Sequence, residues 1–233
     1  MPILMYHSVS EKGDDSLCVS QDSFNRQMAY IKWKGYNVIS LDELVEGIKN
    51  KKAFKRDTIV ITFDDGYKDN YKYAHPILKK CGFSATIFVA SNAIGKEKER
   101  LNWQEMIEMA QNSKISFGAH TRNHSYLPEV KGEAELRNEI LGSKEDIEKN
   151  IGKGADYFCY PTGGFTEEVK TIVKESGYKG ACTTNRGFAR NNQDIYELKR
   201  IKIKNSDFVD NPLSFWIKLS GYYNILRKGK KPY

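Results

Sequence analysis

The chain has 233 residues, 39% of them hydrophobic and 12% aromatic, and 37 Lys and Arg against 30 Asp and Glu leave a net charge of +7. That length fits one large domain or two small ones, and the apolar content excludes wholesale disorder. A mean hydropathy of −0.62, with no window approaching the roughly 18 apolar residues of a spanning helix, excludes a membrane-embedded chain.

Strand-length and helix-length patterns then alternate. Ile3 to Tyr6 is an apolar run directly after Met1 and Pro2, which leaves no room for a secretory signal and sets a cytoplasmic expectation. Phe24, Met28 and Ile31 share one helical face, and Gly35 follows as a stop. Tyr36 to Ile39 reads as a strand, and Ser40 with Glu43 has the spacing of a helix cap and its partner. Thr58 to Phe63 and Ala85 to Ala90 are further strands, Asn102 with Glu105 opens another helix, and Ile115 to Ala119 and Tyr157 to Tyr160 are strands again. Val169, Ile172 and Val173 make a helical stripe ended by Gly177, before strands at Gly180 to Thr183 and Leu198 to Ile203. No repeat or linker interrupts this order, so residues 1–210 read as one domain, followed by a basic aromatic helix or tail at 211–233. Strands alternating with helices imply an α/β fold of parallel βαβ units. Without a glycine-rich dinucleotide fingerprint, a (β/α) barrel is favoured over an open doubly wound sheet.

Unusual polar residues follow these strands. His7 comes after the first, Asp64 and Asp65 after Thr58 to Phe63, His120 after Ile115 to Ala119, and Pro161-Thr162-Gly163 after Tyr157 to Tyr160. In a parallel barrel all those ends lie on one face, where active sites are built. Adjacent carboxylates repel in a dry site unless a cation neutralises them. His120 and His124 are spaced to converge on one ion across a single turn. With one aspartate they make a set of two nitrogens and one oxygen that leaves positions open for water and substrate. Taken singly, each motif has a plainer explanation, since Asp-Asp-Gly is also a turn sequence and two histidines at that spacing also occur on solvated faces. Together they favour a catalytic metal site. His75 reads as a surface or packing residue, and Cys18, Cys81, Cys159 and Cys182, with no CxxC pair, read as reduced thiols.

Thr62-Phe63-Asp64-Asp65-Gly66, His120-Thr121-Arg122-Asn123-His124 and Tyr160-Pro161-Thr162-Gly163 resemble the first, the second and part of the third motif of the NodB-type polysaccharide deacetylases, carbohydrate esterase family 4. The likeness spans residues 3 to 203. It implies a distorted (β/α) barrel of about seven strands. It also implies Asp64 as general base, Asp65, His120 and His124 as ligands of one divalent metal, and the backbone N–H of Thr162 as an oxyanion donor. In the family the third motif carries an arginine that orients the base, where this chain has Phe158 and Cys159. Arg200 is the candidate replacement, with a purely structural ion pair as the alternative; Tyr160 and Pro161 are candidates to orient the base or touch substrate. The general-acid histidine usually lies in a late Leu-x-His motif, yet no histidine follows His124. His7 resembles the acid of a circularly permuted subgroup, similar to poly-N-acetylglucosamine deacetylases, in which that motif moves to the N-terminus.

The implied activity is a metal-dependent hydrolase that removes N-acetyl groups from an N-acetylated saccharide or polysaccharide and releases acetate. Zn²⁺ suits the ligands best, and Co²⁺, Ni²⁺, Mn²⁺ or Fe²⁺ also fit. An O-acetyl carbohydrate esterase, or a non-catalytic carbohydrate-binding protein of the same fold, is the alternative. The scattered basic residues read as solvated surface, so no nucleic-acid partner is expected. Residues 212–231 combine aromatic and basic side chains; they either contact an anionic membrane surface, which would place the protein at the inner membrane, or pack on the barrel as a closing helix.

Overall fold

The computed structural model describes residues 1–14, 16–112, 114–184, 194–209 and 212–220. Its strands are β1 (Ile3–Tyr6), β2 (Ser8–Ser10), β3 (Cys18–Ser20), β4 (Asn37–Val38), β5 (Thr58–Phe63), β6 (Ala85–Val89), β7 (Ile115–Ala119), β8 (Tyr157–Cys159), β9 (Gly180–Thr183), β10 (Leu198–Lys199) and β11 (Ile201–Lys202). The helices are α1 (Gln21–Trp33), α2 (Leu41–Lys49), α3 (His75–Cys81), α4 (Trp103–Asn112), α5 (Glu133–Ile151), α6 (Glu167–Glu175), α7 (Ser206–Val209) and α8 (Pro212–Leu219).

Every barrel pairing is parallel, in the order β9, β8, β7, β6, β5, β1. The last segment closes the ring. β10 pairs with β9 through Leu198 and Cys182, β11 pairs with β1 through Ile201 and Leu4, and Arg200 stands at the break between them. With β4 alongside the start of β5, this is a nearly closed barrel of eight parallel strands, as the alternation of elements implied. The barrel is distorted where β7 and β8 pair only at Ala119 and Phe158. The short pair β2 and β3 lies outside the barrel, and no apolar run marked it in the sequence.

The strands are buried on both faces, and their side chains alternate between two cores. One side packs against helices, with Leu4, Ile59, Ile61, Ile87 and Phe158 meeting Phe24, Met28 and Ile31 of α1 and Val169, Ile172 and Val173 of α6. Each such fully buried side chain contributes about 1.5–3 kcal/mol. The other side holds Ile3, Val60, Phe88, Tyr157, Cys159, Cys182 and Leu198, and α2 adds Leu41, Leu44 and Val45. Asp64, four residues after Val60, and Arg200, two after Leu198, continue this second series. Strand period therefore places two charged side chains above an apolar barrel interior.

The helix boundaries follow local chemistry. Ser40 and Glu43 form the reciprocal capping box, and Asn102 and Glu105 exchange the same pair of bonds. Gly35 and Gly177 adopt φ of 70° and 74° after α1 and α6. His75 is buried and stacks on Tyr71, a packing residue. The four cysteines are free.

The described part of the C-terminal segment packs on the barrel. Phe215 of α8 is buried in the larger core against Tyr30, and Lys218 places its ammonium on Asp207 and on the Lys202 carbonyl at 2.8 Å. Leu213 and Trp216 remain exposed. Residues 221–231, which carry most of the basic charge invoked for membrane contact, lie outside the described residues. Among the described residues no helix is long and apolar enough to cross a membrane.

Candidate active site

Asp64 is 2% exposed and its two oxygens are held by Arg200, with Nη1 donating at 2.6 Å to Oδ1 and Nη2 at 2.7 Å to Oδ2. The guanidinium also donates to Thr62 Oγ1 at 3.1 Å and lies 3.0 Å from Cys159 Sγ. Its surroundings thus come from β5, β8 and the strand that closes the barrel. Burial pushes the Asp64 carboxyl up, but the charge and hydrogen bonds of Arg200 outweigh it and hold the group below the usual carboxylate range. Arg200 thus reaches Asp64 across the closure of the barrel. A compact thiol at Cys159, kept protonated by burial, leaves the space that the guanidinium fills.

Asp65 turns the opposite way. It adopts φ 71° and Gly66 follows at φ 62°, where an added Cβ would lie 2.7 Å from Val89 Cγ1. Asp65 Oδ1 lies 3.5 Å from His120 Nε2 and 3.2 Å from His124 Nε2. His120 Nδ1 is 2.7 Å from the Cys159 carbonyl, so Nδ1 carries the proton and Nε2 keeps its lone pair. Ligands about 2.1 Å from one cation, at tetrahedral or octahedral angles, stand roughly 3.0–3.4 Å apart; the His124 spacing falls within that range and the His120 spacing lies just above it. The donor set fits a divalent metal. Asp64, His120 and Cys159 also cluster, but Arg200 occupies both Asp64 oxygens and repels a cation there.

The two histidines do not meet across a helical turn. They bracket an irregular loop in which Thr121 and His124 have φ of 62° and 56°. With Asp65 and Thr162, these make four of the five non-glycine residues at positive φ among the described residues, so backbone strain there is concentrated at this face. Glu139 of α5 holds the loop, accepting the N–H groups of Arg122 and Asn123 at 3.0 Å each and the Asn123 amide. Asp146, also on α5, takes the Arg122 guanidinium in two bonds. Neither carboxylate was singled out in the sequence, where both look like ordinary charges on a polar helix.

His7 is brought to the same place. Its side chain is 13% exposed, with Nε2 3.9 Å from Asp64 Oδ2. Burial lowers its pKa, against the raising influence of Asp64 and Asp65. Thr162 is exposed at φ 55° in the turn after β8. The Pro161 carbonyl accepts from Thr162 Oγ1 at 2.7 Å, and in a trans peptide the Thr162 N–H points the opposite way. Tyr160 and Pro161 correct an expectation. Both are buried, and Tyr160 stacks on Phe165 and donates to the Tyr196 carbonyl, so packing, not substrate or base, accounts for them.

A cavity of 230 Å³ adjoins Asp65 and His124, lined also by Asn92, Glu97 and Arg100. The roomier cavity, 390 Å³, is lined by Ser40, Ser84, Lys114 and Asp156 near the strand starts and contains none of these site residues.

The pattern of the polysaccharide deacetylases matches residues 51–181. The chain belongs to that family. YxkH of Bacillus subtilis (strain 168), classed with the polysaccharide deacetylases, is 34% identical over 203 residues, covering 87% of this chain and 71% of the relative. The poly-β-1,6-N-acetyl-D-glucosamine N-deacetylase of Staphylococcus aureus (strain MSSA476) is 26% identical over 216 residues, 88% of this chain and 74% of the relative. Among solved structures, the Streptococcus pyogenes deacetylase PplD, in complex with acetate, superposes with a TM-score of 0.83 at 30% identity and covers 92% of this chain and 97% of that one. Within this polysaccharide deacetylase, the closing arginine and the N-terminal histidine occupy one end of the barrel together with the aspartate pair.

Proposed function

We propose that this deacetylase hydrolyses the N-acetyl groups of an amino-sugar polysaccharide, releasing acetate, with one divalent cation held by Asp65, His120 and His124. The observation that carries the reading is the division of labour between two adjacent carboxylates. Asp64 is ionised and locked on Arg200, while Asp65 faces two imidazole nitrogens. The S. aureus relative acts on an N-acetylated glucosamine polymer and PplD holds acetate, which support the substrate class and the product.

A cation bound there supplies Lewis acidity toward the acetamide carbonyl and toward water, and zinc heads the candidates. Asp64 accepts the proton of the attacking water, its carboxylate kept aimed and charged by Arg200. The Thr162 N–H donates to the developing oxyanion. Amide cleavage must expel an amine, which leaves only when protonated. Because burial lowers His7, the imidazole rests neutral above the ordinary histidine range. The proton it delivers therefore originates in the attacking water and passes from Asp64, 3.9 Å away. A C–O bond forms and the C–N bond breaks, one water proton moves to the leaving nitrogen, and the acid formed gives up its remaining proton to the amine, so the products near neutral pH are acetate and an ammonium.

Acetate release from a panel of N-acetylated and O-acetylated saccharides, after chelation and after metal add-back, tests this reading. Turnover of N-acetylated glycans that vanishes with chelator and returns with metal is the expected result. Preference for O-acetyl substrates would replace the reading with an esterase, and no release from either class would leave a binding protein.

A further inference from the structure

We propose that Asp69 and Asn70 are positioning residues that fix His7 beside the base by clamping its own carbonyl and the two residues that follow it. This deepens the proposed function and rests on His7 being the acid.

His7 is the single residue between β1 and β2, where the chain leaves the barrel for the small outer sheet. The β1 ladder with β5 ends at Tyr6 and Phe63, so barrel pairing does not hold the chain from His7 onward. The connection after β5 does. Asn70 Nδ2 donates to the His7 carbonyl at 2.8 Å and to Asp69 Oδ1 at 3.0 Å. Asp69 Oδ1 accepts the Val9 N–H at 3.1 Å, and Oδ2 accepts the Ser8 hydroxyl. Residues 7, 8 and 9 are each gripped by one of two consecutive side chains.

Two further observations favour a role in geometry. Asn70 is fully buried, yet its Oδ1 has no partner among the described residues, an unfavourable choice if the position served packing alone. It also opens a π-helical stretch, Asn70–Ala74, a rare conformation that recurs at functional sites. The clamp lies on the same connection as Asp64 and Asp65. One short segment thus carries the base and a metal ligand and dictates where the acid stands.

The test compares Asp69→Asn with His7→Ala on two substrates, an N-acetylglucosamine oligomer and an activated aryl acetate whose leaving group needs no proton. Misplacing a catalytic group by about 1 Å costs on the order of 100-fold. Asp69→Asn should therefore lower kcat on the oligomer about 10- to 100-fold, spare the aryl acetate and leave the bound metal unchanged. Added to His7→Ala, it should cost nothing further, because the group it positions is gone. Equal loss on both substrates, or further loss in the His7→Ala background, would show a merely structural residue and overturn the proposal. If Asp69→Asn does not fold, Ser8→Ala removes one strand of the clamp and should show the same selectivity at smaller size; an unselective loss there counts equally against it. His7→Ala failing to discriminate would remove the acid assignment itself. Selectivity in His7→Ala without selectivity in Asp69→Asn or Ser8→Ala would remove only the clamp.

Discussion

Asp64 and Asp65 are adjacent in the chain and differ in almost every physical respect. Asp64 continues the interior series of β5 and is buried against a fully satisfied guanidinium, in a region held by strand pairing on several sides. Asp65 sits at positive φ and faces two histidines on a strained loop held by the α5 carboxylates Glu139 and Asp146 and by the N–H groups of Ser91 and Asn92. The contrast teaches that the barrel itself preorganises the proposed base, whereas the proposed ligand half depends on loop clamps and on a cation to offset its carboxylate charge.

The largest effect expected from this contrast is on turnover. Asp64→Asn should cost about 100- to 10,000-fold in kcat with the metal retained, while Asp65→Asn should cost activity and metal together. Elemental analysis beside the kinetics checks this, and loss of metal from Asp64→Asn would erase the distinction.

Stability comes next. Arg200→Met leaves a buried carboxylate unpaired and should cost about 3–5 kcal/mol near neutral pH in urea unfolding. The sign of its pH dependence is fixed. In the natural protein the folded Asp64 pKa lies below the unfolded one, so the stabilisation is full above about pH 4 and is lost as pH falls through the folded value. Without Arg200, burial raises that pKa, and stability instead falls as pH rises through about 4. The gap between the two proteins should therefore shrink on acidification; a constant gap would mean that Asp64 is not the charge being left behind.

Smallest is the effect of the helix clamp. Glu139→Gln disturbs the acceptor of two loop N–H groups and should weaken metal binding about 10- to 100-fold, with activity recovered at excess metal. Calorimetric titration with Zn²⁺ measures it, and unchanged affinity would show that the loop keeps its shape unaided.

Much of this was legible in the sequence for identifiable reasons. β1, β5, β7 and β9 match their apolar runs to the residue, because short β-branched runs bounded by polar residues have few alternatives as strands. The caps at Ser40 and Asn102 read correctly because capping is local. The aspartate pair and the two histidines stood out because charge directly after an apolar strand is unusual. The outer pair β2 and β3 was illegible, since Ser8–Ser10 and Cys18–Ser20 carry no apolar run and gain their pairing from position alone. That His120 and His124 approach across a single turn was legible from their spacing, but the strained form of that turn, held by Glu139, was not.

The sequence by itself determined the alternation of elements, the chemistry available at each strand end and the family, since all three depend on residue type and short spacing. Only the tertiary structure decided which groups act on one another. Arg200 reaches Asp64 across 136 residues because closing the barrel makes the last strand a neighbour of the first. Tyr160 lost its candidacy because its ring stacks in the core, and Glu139, Asp69 and Asn70 gained roles because they pack where loop N–H and C=O groups need partners. Hydrogen-bond partners of an irregular loop are whatever the fold brings within about 3 Å, and no local pattern records them.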